Sequence, residues 1–263
     1  MRLRDLEVGF ELEFSHDMKE KDILKALELL APSPNGKRRR DRYFVTYDGS
    51  VRCNNSHTSL EIITPVWPFA TALKNLQTIF DFMALTGAEV NASCGLHVNM
   101  GFIDKMNAKK IDRLKLVLLS NEEKWLKVFG RTSNGYCVPF VKRMKDNYTN
   151  YRSWRRYATS TIDDPKTFII TREKASSEKY DAVNRVKLPR KKFVEFRVIG
   201  NKNYHFRHDE VVEAIKDFAY AMLDSTTSKR NRTFETALNE ASKRMIPPPK
   251  VKITAPTILS RAA

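Results

Sequence analysis

Cysteine is scarce, and no apolar run approaches membrane length. Only Cys53, Cys94 and Cys137 occur in 263 residues. An odd number with no C-x-x-C spacing argues against a disulfide framework or a zinc site and fits a reducing cytoplasm. No stretch reaches the roughly 18 apolar residues that a membrane span needs. The opening MRLRDLEVG lacks the apolar core of a signal peptide, so a soluble, cytoplasmic protein is expected. There is no G-x-S-x-G, no obvious Cys–His pair and no G-x-x-x-x-G-K-[ST] loop, so a bound nucleotide would need another kind of cradle. Acid is the minority charge, with 31 Asp and Glu against 47 Lys and Arg and a net charge of +16. That balance favours an anionic partner: nucleic acid, nucleotide phosphates or an acidic substrate.

Against this shortage of acid, GFELEF (Gly9 to Phe14) sets Glu11 and Glu13 between Phe10, Leu12 and Phe14. On a strand the two carboxylates share one face and the three apolar side chains the other. The pattern recurs. Glu61 lies between Leu60 and Ile62; His97 and Asn99 share a face against Leu96, Val98 and Met100; Glu195 and Arg197 share one against Val194, Phe196 and Val198. Any one of these strands could simply be wetted on its polar side. Together they carry short acids, imidazole, amide and guanidinium rather than a Lys–Thr–Ser mixture, which suggests a site that needs negative charge. Hard divalent cations are the economical use of such a cluster. Arg197 could clamp a phosphate beside them.

Elsewhere, helical stripes are expected over Lys19 to Ala31, Phe69 to Gly87, Asn107 to Gly130 with Asn107 as N-cap, His208 to Asp224 and Arg232 to Met245. Arg131 to Tyr180 shows no clear period and reads as loops and short elements. Residues 1–245 read as a single domain and 246–263 as a mobile Pro-rich tail. The fold class is α+β, a largely antiparallel sheet with helices packed on one face. His16 is expected at the surface, and His57, His205 and His208 receive no role.

GFELEF, YDGSV followed by LEIITPV, CGLHVNMGF, FGRTSNGYC and VNRVKLPRKKFVEFRVIG, in that order from about Leu6 to Leu223, resemble the amidoligases of the glutamine-synthetase-like carboxylate–amine ligase superfamily. The resemblance implies a curved sheet of glutamine-synthetase-like fold whose polar face holds ATP and two or more Mg²⁺ or Mn²⁺ ions. It implies Glu11, Glu13, Glu61, His97 and Glu195 as metal ligands. Arg197 would face phosphate, and Arg131 would meet phosphate or the substrate carboxylate. Asp48, Ser50 and Asn184 would help to hold the nucleotide. The family usually reads H-V-H where this chain has His97-Val98-Asn99; Asn99 can offer an oxygen but cannot act as a base. The implied reaction joins a carboxylate substrate to an amine, a peptide or other anionic molecule being a candidate for either, through an acyl phosphate.

Two other readings stand beside this one. The basic runs Gly36 to Arg42, Val141 to Tyr157 and Arg185 to Lys192 suit single-stranded nucleic acid. The middle run interleaves Tyr148, Tyr151, Trp154 and Tyr157, which could stack bases. Salt separates the alternatives, because nucleic-acid affinity collapses as it rises while Mg·ATP binding changes far less. The other reading is a relative that binds nucleotide without turnover.

Overall fold

The computed structural model describes residues 1–34, 39–53, 57–154, 164–172, 180–227 and 231–245. The proposed tail, 246–263, lies outside the described residues. Among the described residues, no helix is long and apolar enough to cross a membrane.

Alternation of apolar and polar residues builds an open antiparallel sheet. Its strands are β1 (Leu6–His16), β2 (Phe44–Tyr47), β3 (Thr58–Ile63), β4 (Trp67–Pro68), β5 (Gly95–Phe102), β6 (Val183–Asn184) and β7 (Phe193–Gly200). The order is β2-β3-β1-β5-β7-β6, with β4 pairing to β1 off this path. The longest strand, β1, thus lies at the centre, hydrogen-bonded to β3 on one side and β5 on the other.

One face is dry. Leu6, Val8, Phe10, Leu12 and Phe14 of β1 are fully buried, as are Leu96, Val98 and Met100 of β5 and Val194, Phe196 and Val198 of β7. Helices α2 (Phe69–Leu85) and α8 (His208–Ser225) cover that face with their own apolar stripes. Phe196 stacks on Phe218 of α8 with ring centroids 4.5 Å apart and planes 4° from parallel. Each such large apolar side chain contributes about 1.5–3 kcal/mol when withdrawn from water. The fold is α+β, and helices α1 (Glu20–Leu30) and α9 (Arg232–Met245), the last among the described residues, fall where the sequence periodicity puts them.

Three expectations are corrected. The helix expected over 107–130 is broken into a short 3₁₀ turn and two helices, α3 (Arg113–Leu119) and α4 (Glu122–Val128). Asp112, not Asn107, caps α3 by accepting from Lys115 N at 3.1 Å. Asn121, with φ of 52°, then turns the chain, and its amide and the Trp125 indole both donate to Asp217 on α8. The segment expected to be loops contains α5 (Phe140–Trp154) and α6 (Pro165–Arg172). Its stripe Phe140, Val141, Met144 and Tyr148 is helical but diluted by lysines and arginines. His16 is buried at the end of β1, its Nδ1 accepting from Met18 N at 2.9 Å.

These helices also bear on the basic, aromatic run. Tyr148 is buried against Phe168, with centroids 5.1 Å apart, and is spent on the core rather than offered to a base. Tyr157 lies outside the described residues, as do residues 36–38 of the first basic run. Between β7 and β6 stands α7 (Leu188–Lys191), a single turn.

Candidate active site

Strand register assembles the polar face. Glu11 lies directly opposite His97, Glu13 opposite Glu61, and Glu195 opposite both Asn99 and Asn184. Like charges directly opposite each other weaken a sheet, so the Glu13–Glu61 pair opposes this one whenever both are ionised. Between Leu96 and Val98 the β5–β7 register slips by one, so that Arg197 and Val198 together oppose His97. This bulge keeps Arg197 on the polar face while Val198 and Ile199 are both buried. The Arg197 amide donates to Ala182 O at 2.8 Å.

His97 is the hub. Its Nδ1 lies 3.2 Å from Glu11 Oε2 and 3.8 Å from Glu195 Oε1, and its Nε2 lies 3.4 Å from Glu13 Oε1. Asn99 Nδ2 donates to the other oxygen of Glu11 at 2.9 Å. Glu13 Oε2 accepts from the Gly95 amide at 2.6 Å. Glu195, almost fully buried, takes Arg197 on one oxygen and Lys187 (3.1 Å) and Asn184 Nδ2 (3.1 Å) on the other. Asn184 therefore sits behind Glu195 and orients it, with its own Oδ1 accepting from Val186 N.

Arg131 arrives from α4. That helix ends in paired bonds from Gly130 N to Lys127 O and from Arg131 N to Leu126 O, with Gly130 at φ of 65°. This is a Schellman ending, in which a glycine accepts the left-handed conformation at little cost. Arg131 Nη1 then donates to Ile199 O at 2.6 Å and to Cys94 O at 3.4 Å. Its Nε is buried without a hydrogen-bond partner. A Cβ on Gly95 would stand 3.0 Å from Arg131 Nη1, 3.1 Å from Glu13 Oε2 and 3.2 Å from His97 Nε2. The three groups converge on the space that this glycine leaves. At Gly200 any side chain would occupy the space of the Arg131 guanidinium.

The carboxylates respond unequally to this crowding. Burial raises Glu61, and the charges of Glu11, Asp48, Glu13 and Glu195 add to it, taking its pKa up to about 8. Glu13 is raised, chiefly by burial. Glu11 is also pushed up by burial, but its bond to His97, the charges of His97 and Lys187 and the Asn99 amide outweigh that and bring it to about 2.

Two sets of ligand atoms result. Glu11, His97 and Glu195 offer one atom each within 4.8 Å of one another, and Glu13, Glu61 and His97 do the same. Carboxylate oxygens with one imidazole suit Mg²⁺ or Mn²⁺ better than a soft metal. A dication would also relieve the mutual repulsion that raises Glu61.

Beside the cluster opens a cavity of about 690 Å³, lined by Glu13, His97, Ser50 and three arginines, Arg52, Arg131 and Arg197. The β2–β3 turn forms one wall. Asp48 Oδ1 accepts from the Ser50 amide at 2.8 Å, which fixes the turn. Sequence reasoning assigned no role to Arg52, Lys187 or Tyr136, whose carbonyl accepts from Arg197 Nε at 3.2 Å. Lys187 carried a signal as part of the run before β7, and Tyr136 as part of FGRTSNGYC.

A family model described as "putative amidoligase enzyme" matches residues 4–208, a span that takes in every strand of the sheet and every site residue above. No curated protein matches the chain.

Proposed function

The chain belongs to this amidoligase family, and on that premise we propose an ATP- and divalent-metal-dependent carboxylate–amine ligase of glutamine-synthetase-like fold. One observation carries the proposal: two carboxylate triplets share His97 next to a cavity with three arginines on its walls.

Glu11, Glu13, Glu61, His97 and Glu195 would hold Mg²⁺ or Mn²⁺; a neutral His97 has one ring nitrogen free to ligate, so it would serve one ion and a second would rest on carboxylates alone. When bound, such ions neutralise phosphate oxygens and allow two anions to approach. The remaining residues position and stabilise. A substrate carboxylate attacks the γ-phosphorus of ATP, the bond to the β–γ bridging oxygen breaks and ADP leaves, giving an acyl phosphate; an amine then displaces phosphate and leaves an amide. Arg197 is held by Glu195 and the Tyr136 carbonyl, so its fork is fixed against the cavity and need not reorganise as charge develops. Arg131 would meet phosphate or the substrate carboxylate, and a ligand oxygen would satisfy its Nε. Ser50, Arg52 and the Asp48 turn form the wall against which a triphosphate would lie.

The test is ADP release from ATP with Mg²⁺ or Mn²⁺ and a panel of carboxylic acids, with hydroxylamine present to trap acyl phosphate as hydroxamate. Hydroxamate is expected from the wild type. Glu195→Gln should lower its formation by at least about a hundredfold with an unchanged circular dichroism spectrum. Equal formation by the variant would remove Glu195 from the chemistry.

A further inference from the structure

A second cavity, of about 440 Å³, opens on the same polar face beyond Glu11. Two of its lining positions are Gly9 of β1 and Gly101 of β5, where the alternation would otherwise set side chains on that face. Val66 and Phe193 supply apolar wall. Its charges are unbalanced: Arg40, Lys105 and Lys191 line it against a single carboxylate, Glu7. Arg40 Nη1 and Lys105 Nζ both fall on the same oxygen, Glu7 Oε1. Lys191 makes no ion pair among the described residues.

At the end nearest the carboxylate cluster stands Asn99. Glu11 only accepts hydrogen bonds, so the amide it faces must present Nδ2, and Oδ1 is fixed as an acceptor on the other side. That Oδ1 is buried and has no hydrogen-bond partner. The cavity thus has at its cluster end a residue whose Oδ1 lacks a partner, and more cations than carboxylates in its lining.

We propose that this cavity takes the amine substrate, and that the substrate is an amine bearing an anionic group, of which α-amino acids are the smallest members. The proposal rests on the ligase reading above and adds to it which reactant binds where. Asn99 Oδ1 would accept one N–H of the amine and hold its nitrogen beside the cluster, while Arg40, Lys105 and Lys191 would take the anionic end. After losing its extra proton to solvent, the neutral amine forms a C–N bond to the acyl carbon. The C–O bond to phosphate breaks, its electron pair leaves with the phosphate, and one of the two amine protons ends there while the other stays on the amide nitrogen.

The experiment is saturation-transfer nuclear magnetic resonance on the full chain with Mg·ATP present. The probes are the protein amino acids, each compared with its α-amide and with the acid lacking the amino group, as alanine with alaninamide and propionate. At least one amino acid is expected to bind more tightly than both of its analogues. Combined Arg40→Ala and Lys191→Ala, both at solvent-facing side chains, should weaken it about tenfold, and Asn99→Ala should remove the advantage over the deamino acid. Binding with no such advantage in the wild type, binding unaltered in the cation variant, or no binding by any amino acid would overturn the proposal. Mg·ATP affinity measured on the same samples separates the two readings: a wild type that binds amino acids in this way but does not bind Mg·ATP would sink the ligase and leave the pocket.

Discussion

Glu122 is a buried carboxylate outside the ligand cluster, and its environment sets a pH dependence of stability. It begins α4, and its Oε1 accepts from the Phe140 amide at the start of α5 at 2.5 Å, while Oε2 has no hydrogen-bond partner. Burial raises its pKa to about 8 from an ordinary 4.5. Between those values the folded chain keeps a proton that the unfolded chain releases, so its contribution is complete below the lower value and is lost as pH rises through the upper one. The slope approaches roughly 1.4 kcal/mol per pH unit at most. Glu122→Gln keeps an acceptor for Phe140 and cannot ionise. Urea unfolding across this window should show wild-type stability falling relative to the variant; parallel profiles would mean that Glu122 is ionised at no cost.

At the scale of elements, the ending of α4 carries a side chain into the site, so backbone strain there has two consequences. A Cβ on Gly130 would meet Asn201 Nδ2 at 2.8 Å, and Asn201 itself donates to the Phe129 carbonyl at 3.0 Å. Gly130→Ala is expected to cost about 1–2 kcal/mol, read by urea unfolding, and to weaken nucleotide binding through displacement of Arg131. A loss of stability with ATP affinity unchanged would separate Arg131 from the nucleotide.

The elements differ in how far the sequence revealed them. The long strands were legible because strict alternation leaves one reading of which residues share a face, and the strand residues Glu11, Glu13, Glu61, His97, Glu195 and Arg197 do come together. The bulge at Arg197–Val198 was not, since it is a property of two strands in register. Lys187, Arg52 and the orienting place of Asn184 were hidden for the same reason: each depends on how a connection folds back on the sheet. Helix α5 was obscured by its own composition, because basic residues around a narrow apolar stripe weaken the helical period.

Across the whole molecule, a chain of net charge +16 gathers four glutamates and one histidine on the polar face of its central strands and sets three arginines around the cavity beside them. Acid in the middle with base around it suits metal ions and the polyphosphate they accompany. That arrangement also opposes a purely electrostatic grip on nucleic acid at this face, where the cluster would repel phosphate unless metal were bound. The most direct measurement is calorimetric titration of ATP into the wild type and Glu13→Gln, each with Mg²⁺ and with chelator, at moderate salt. Binding that requires both Mg²⁺ and Glu13 is the expected result. ATP binding that survives chelation and the substitution alike, or no ATP binding under any condition, would contradict the metal–nucleotide site.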